Sequence, residues 1–89
     1  MKAVITIVGR DQVGIVAMVS GILATNGVNV LNINQNILDG FFNMLMISDI
    51  SKSKVDIKQL QQILTDKGHE IGLDIKVQHE DIFNVMHRI

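Results

Sequence analysis

Val8-Gly9-Arg10-Asp11-Gln12-Val13-Gly14-Ile15-Val16 is the stretch at which the chain changes its period. Before it, Ala3 to Val8 is a Val- and Ile-rich run of strand character; after it, Ile15 to Ala24 is apolar at helical spacing. The junction is short, flanked by glycines, and carries one acid. Asp11 reads as the helix N-cap, because its side-chain oxygen can accept a bond from a free amide of the first turn. That turn has unpaired N–H groups and a partial positive charge, so the same spot can hold a carboxylate or phosphate. Gly14, lacking Cβ, lets a ligand or another backbone come close. The plain reading is a capped strand-to-helix turn, and the functional one is a small anion site.

Working outward, Lys2 to Val8 predicts a strand buried on both sides. Val13 to Asn26 predicts a helix closed by Asn26-Gly27 as a left-handed stop. Its residues Ile15, Val16, Met18, Val19, Ile22 and Leu23 spread over more than one stripe, and a helix apolar on two sides packs on two things. Val28 to Leu38 and Phe41 to Ile50 predict strands joined by Asp39-Gly40, a strong hairpin signal. With a two-residue turn, Leu38 faces Phe41 and the register follows by counting. One face then carries Leu31, Ile33, Gln35 and Ile37 opposite Phe42, Met44, Met46 and Ser48, and is expected under the helices. Gln35 is thereby expected as a buried, hydrogen-bonded amide. The other face carries Asn32, Asn34 and Asn36 opposite Asn43, Leu45 and Ile47, too apolar in its third strand to sit comfortably in water. Ser53 with Asp56 resembles a capping box for a helix from Ile57 to Lys67, with Gly68 as its stop. Ile71, Leu73, Ile75 and Val77 alternate with polar residues as a half-buried strand. Met18, Met44, Met46 and Met86 read as gap-filling core.

The order β-α-β-β-α-β predicts an α+β, ferredoxin-like βαββαβ sandwich, a four-stranded antiparallel sheet with two helices on one face. Residues 1–79 form the expected domain; 80–89 form a tail read as a short C-terminal helix, with Ile82, Phe83, Met86 and Ile89 on one side.

Eighty-nine residues make one domain with a modest core, yet 47% are apolar, more than such a core readily hides. That surplus argues for a partner subunit. A net charge of −1 with no basic block does not suggest a nucleic-acid or anionic-membrane surface. The absence of cysteine removes disulfides, thiolate metal sites and a cysteine nucleophile together. No stretch approaches the ~20 apolar residues that span a bilayer, and the N-terminus lacks a signal-peptide layout, so the expected location is the cytoplasm.

Catalysis finds little support in the residues. His69, His79 and His87 are remote from the glycine-flanked junction, and their spacing suits neither a metal site nor a triad. No cofactor is implied. Arg10 with Asn32 or Asn34 offers a thin version of the phosphate-binding pair of an acylphosphatase-type enzyme.

Gly9-x-Asp11-x-x-Gly14-Ile15-Val16 at the end of a first strand, followed a helix later by Gly27-Val28-Asn29-Val30, resembles the ACT domain family of small regulatory, amino-acid-binding modules. The likeness is to the ACT segments of the glycine cleavage system regulator and of formyltetrahydrofolate deformylase, and it covers Met1 to about Gln78. It implies the same ferredoxin-like fold, a side-by-side homodimer joined through edge strands and first helices, and a ligand held between two protomers. Matched onto this chain, the implied ligand-binding residues are Asp11, Gln12, Val13, Gly14, Ile15 and Asn29. Val13 stands where many members carry Pro, which leaves the loop less constrained. Asp11 stands where amino-acid-binding members often carry Asn; a carboxylate there suits an ammonium and repels a ligand carboxylate. The expectation is a dimeric regulatory module, not an enzyme, that senses an amino acid and passes the signal to another protein. The alternative is a protein-interaction module without a ligand.

Overall fold

The computed structural model describes residues 1–81. Its elements follow in the order β1 (Lys2–Arg10), α1 (Ile15–Thr25), β2 (Asn29–Leu38), β3 (Phe41–Asp49), α2 (Ile57–Ile71) and β4 (Asp74–His79). The strands form one antiparallel sheet in the order β2-β3-β1-β4. The βαββαβ ferredoxin-like expectation holds. From position 82 onward the expected C-terminal helix lies outside the described residues.

Both helices lie on one face of the sheet. Ile15, Val19 and Leu23 of α1 and Leu60 and Leu64 of α2 join one core with Ala3, Ile5, Ile7, Phe42, Met44, Met46, Ile75 and Val77. In each helix those residues are four apart, a narrow stripe that a sheet can cover. The other apolar side of α1 is left half-buried at Val16, Met18 and Ile22. As a central strand, β1 buries residues on both faces: Val4, on the face opposite α1 and α2, is 2% exposed.

The Asp39-Gly40 turn forms as expected, with positive φ at both residues, 52° and 78°, the conformation of a type I′ hairpin. Leu38 pairs Phe41, and the counted register holds back to Asn32 opposite Ile47. There it fails. A bulge at Leu31 puts Val30, not Leu31, opposite Ser48, and Asn29 opposite Asp49. A larger correction concerns the helix side of β2. Leu31, Ile33, Gln35 and Ile37 were expected beneath helices, yet all four are exposed. The strand order explains this: β2 is an edge strand, and the two helices cover β3, β1 and β4. Gln35 is accordingly not a buried amide. On the opposite face Leu45 and Ile47 are half-buried.

Two further readings are corrected at α2. Its N-cap is Asp56, which accepts from Gln59 N at 2.8 Å while Gln59 Oε1 accepts from Asp56 N at 3.0 Å. This is a capping box three residues later than Ser53 with Asp56. Ser53 instead donates its hydroxyl to the Val55 carbonyl. Asp56→Ala is expected to lower stability by about 0.5–2 kcal/mol, read from the shift in a urea unfolding midpoint. The helix also runs through Gly68 to Ile71 and stops at Gly72, whose φ of 75° is the left-handed terminus. Ile71 therefore ends α2 rather than beginning a strand, and His69 lies in the last helical turn.

Candidate functional site

The loop between β1 and α1 is held from two sides. Asp11 N donates to the Gly40 carbonyl at 2.8 Å, tying the loop to the hairpin turn. Gln12 Nε2 donates to the Ile71 carbonyl at 3.0 Å, tying it to the end of α2. Beside them the Arg10 guanidinium lies over the Phe41 ring, 5.8 Å from its centroid. So fixed, the loop presents Val13 fully exposed, and Gly14 turns the chain into the helix at φ 89°, ψ 4°. A side chain there would meet nothing of this chain within 4 Å, so what requires glycine is its φ.

Asp11 is not the helix cap. Gly14 occupies the N-cap position, and no side chain caps α1. Its left-handed φ starts the helix three residues after the acid, too late for that carboxylate to cap it. Among the described residues the first-turn amides therefore have no side-chain acceptor, and no acid lies in that turn. Ile15 is buried at its side chain and offers the site only its backbone N–H. Asp11→Ala is expected to leave the unfolding free energy within about 0.5 kcal/mol of wild type, as for surface positions.

Asn29 lies at the far end of the molecule. It pairs Asp49 and, through it, Lys2, whereas the first loop adjoins the row of Leu38, Phe41 and Arg10. Eight steps along β3 separate these rows, roughly 26 Å. The structure thus brings together Asp11, Gln12, Val13, Gly14 and Ile15, and sets Asn29 apart. Around Asn29 is a cleft of about 210 Å³ lined by Gly27, Asn29, Asp49 and Lys52. Its floor is backbone against backbone. Lys54 N donates to the Asn26 carbonyl at 2.8 Å, and a Cβ on Gly27, itself at φ 75°, would lie 2.8 Å from the Lys52 carbonyl. Asp49 Oδ1 accepts from Ser51 N at 2.9 Å and from the Ser51 hydroxyl. The hydroxyl bond above all, then the backbone one, holds the Asp49 carboxyl below its ordinary 3.8, so it is ionised at neutral pH. Sequence reasoning did not place Asp49 and Lys52 beside Asn29; the one available signal was the hairpin register, which puts Asp49 near Asn29.

The acylphosphatase-type pair is not assembled. Arg10 shares a row with Phe41 and Leu38, while Asn34 lies four rows away and Asn32 further still. Among the described residues no group of three or more His, Cys, Asp or Glu is arranged to hold a metal ion. Nor is any helix among them long and apolar enough to cross a membrane.

The ACT domain family model matches residues 2–78. A UPF0237 protein of Clostridium perfringens is 58% identical over 89 residues, covering 100% of both chains. Another, from Methanocaldococcus jannaschii, is 48% identical over 99% of this chain and 98% of its own. Among solved structures, an ACT domain protein from Streptococcus pneumoniae superposes with a TM-score of 0.81 at 40% identity, covering 93% of each chain. A putative glycine cleavage system transcriptional repressor matches with a TM-score of 0.73 at 26% identity, over 86% of this chain and 44% of its own. The fold, the glycine-flanked first loop and these likenesses converge: the chain belongs to the ACT domain family.

Proposed function

We propose that this ACT domain is a regulatory, non-catalytic module of the cytoplasm that binds an amino acid between two copies of itself. The observation that carries the reading is the α1 N-terminus, whose first-turn amides have no side-chain cap and open beside an exposed loop. Such amides suit a ligand carboxylate. Asn29, from the other copy, supplies an oxygen for the ammonium. The two halves of the site lie at opposite ends of one chain, so a second copy running antiparallel alongside α1 and β2 unites them. Among the described residues no strand pairs with the outer edge of β2. On β4 the opposite edge is engaged, because Gln61 Nε2 donates to the Val77 carbonyl at 2.7 Å. The likeness to a protein described as a glycine cleavage system transcriptional repressor supports the regulatory class.

A protein-interaction module without a ligand is the second reading, favoured by the full exposure of Val13 on the first loop. Thermal-shift measurements with each of the twenty amino acids at millimolar concentration separate the two. One or a few are expected to raise the melting temperature, since a ligand bound only by the native state stabilises it. Asn29→Ala is expected to abolish that rise. A flat response to all twenty sinks the amino-acid reading.

A further inference from the structure

The sheet face opposite α1 and α2 is closed at one end and open at the other. Ala3, Ile5 and Ile7 of β1 belong to the core beneath the helices, so alternation turns Val4, Thr6 and Val8 to this face. Val4 is 2% exposed and Val8 44%, although both sit in the same central strand. The cross-strand neighbours of Val4 are Ile47 and Gln78, and those of Val8 are Asn43 and Asp74. Such neighbours close the flanks of a side chain, but its tip stands off the sheet and is covered only by a layer above. Leu45, Ile47 and Gln78 near Val4 are half-buried, whereas Asn43, Asp74 and Phe41 further along are exposed. The cover therefore ends partway along the face.

Among the described residues nothing is placed to supply it. Both helices pack on the other face, and Met1, ahead of β1, is 66% exposed. The chain itself continues from the closed end. His79, the last residue of β4, pairs Ala3, one row from Val4 and Gln78. Its Nδ1 accepts from Asp81 N at 3.2 Å, so the chain turns as it leaves the strand. Of the eight residues that follow, five are apolar: Ile82, Phe83, Val85, Met86 and Ile89. Eight residues reach about 12 Å even at helical rise, and β4 lies two strand spacings from β3, about 10 Å.

We infer that residues 82–89 cover this end of the sheet face in their own copy, completing a second small core with Val4, Leu45 and Ile47. A second copy laid face to face would close Val8 and Phe41 along with Val4. A short segment that starts at His79 closes only the near end, which is the pattern of exposure seen. The segment is thus part of the domain, and the apolar patch beneath it opens to another protein only when it lifts. The inference is independent of any ligand.

The test compares the full chain with a chain ending at Asp81. The shortened chain is expected to melt at least about 5 °C lower, since several apolar side chains lose their burial. The methyl resonances of Val4 and Ile47 are expected to shift with it. An unchanged melting temperature together with unchanged resonances overturns the inference. The full chain supplies a second reading, because it has no cysteine of its own. A nitroxide on Arg88→Cys is expected to broaden the methyl resonances of Val4, Leu45 and Ile47 more than those of Ile63 on α2. In a mixture of nitroxide-bearing copies with isotope-labelled copies that carry none, the same resonances are expected to stay sharp. Broadening confined to the mixed pairs would assign the cover to the partner's segment, and no preferential broadening in either sample would leave the face without this occupant; each sinks the inference. Should the shortened chain not fold, the nitroxide measurement decides alone.

Discussion

Gly68→Val is expected to lower stability by about 3 kcal/mol or more, and even Gly68→Ala to destabilise, although glycine is a poor helix former. Propensity alone predicts the reverse sign, since alanine in place of an interior helical glycine gains about 1 kcal/mol. Packing decides against it. A Cβ at position 68 would lie 2.7 Å from the Leu73 carbonyl oxygen and 3.0 and 3.1 Å from two carbons of Ile75. The first of these atoms is backbone, and Leu73 is tied back to the same site by its N–H, which donates to the Gly68 carbonyl at 2.8 Å. Relief therefore means moving the α2–β4 connection off the helix, with Ile75 behind it in the core. Valine adds two more methyl groups to that clash. For a domain of this size a 3 kcal/mol loss lowers the melting temperature by more than about 10 °C. Urea unfolding reads the effect directly as a lower midpoint at unchanged slope. An alanine variant more stable than wild type would show that the close approach is loose.

The same glycine shows where the sequence was legible and where it was not. Read as local punctuation, Gly68 is a stop. Read as periodicity, it continues the stripe of Leu60 and Leu64 by another four residues, and that second signal was the correct one. Gly72 carries the left-handed terminus instead. The hairpin was legible because Asp39-Gly40 demands a particular turn, and a particular turn fixes register. The bulge at Leu31 left no such mark, since alternation of Asn with aliphatic residues looks the same on either side of an extra residue. The exposure of Ile33 and Ile37 could not be read either. Alternation reports that a strand has an apolar face, but only the strand order reports whether helices reach it. Of the residues the motif singled out, the structure brings the loop residues together and sets Asn29 apart. The motif mistook Asp11 for a cap because cap position depends on the φ of Gly14, not on the nearest acid. Asp49 and Lys52 reach their cleft from the end of β3 and the loop after it, a proximity no short motif records.

Ile33→Lys is expected to convert the proposed dimer into a monomer. Ile33 is 45% exposed and Ile37 50% exposed on the helix side of β2, although both occupy positions that would be core in a central strand. Leu31 at the bulge is 49% exposed beside them, and the half-buried side of α1 presents Val16, Met18 and Ile22. A second copy antiparallel along this edge covers the row and extends the sheet at once. Burying an isoleucine contributes about 1.5–3 kcal/mol. A two-fold interface meets each substitution twice, so lysine should raise the dissociation constant by about 10²–10⁴-fold. The fold itself is expected to persist, because Ile33 lies outside the core cluster. Light scattering across micromolar concentrations tests this, with Lys76→Glu on β4 as the control that should change nothing. A wild type that scatters as a monomer throughout this range removes the dimer, and with it the proposed site that joins the first loop of one copy to Asn29 of the other. A dimer indifferent to lysine at position 33 would place the contact elsewhere, and the exposed row of β2 would then await another partner.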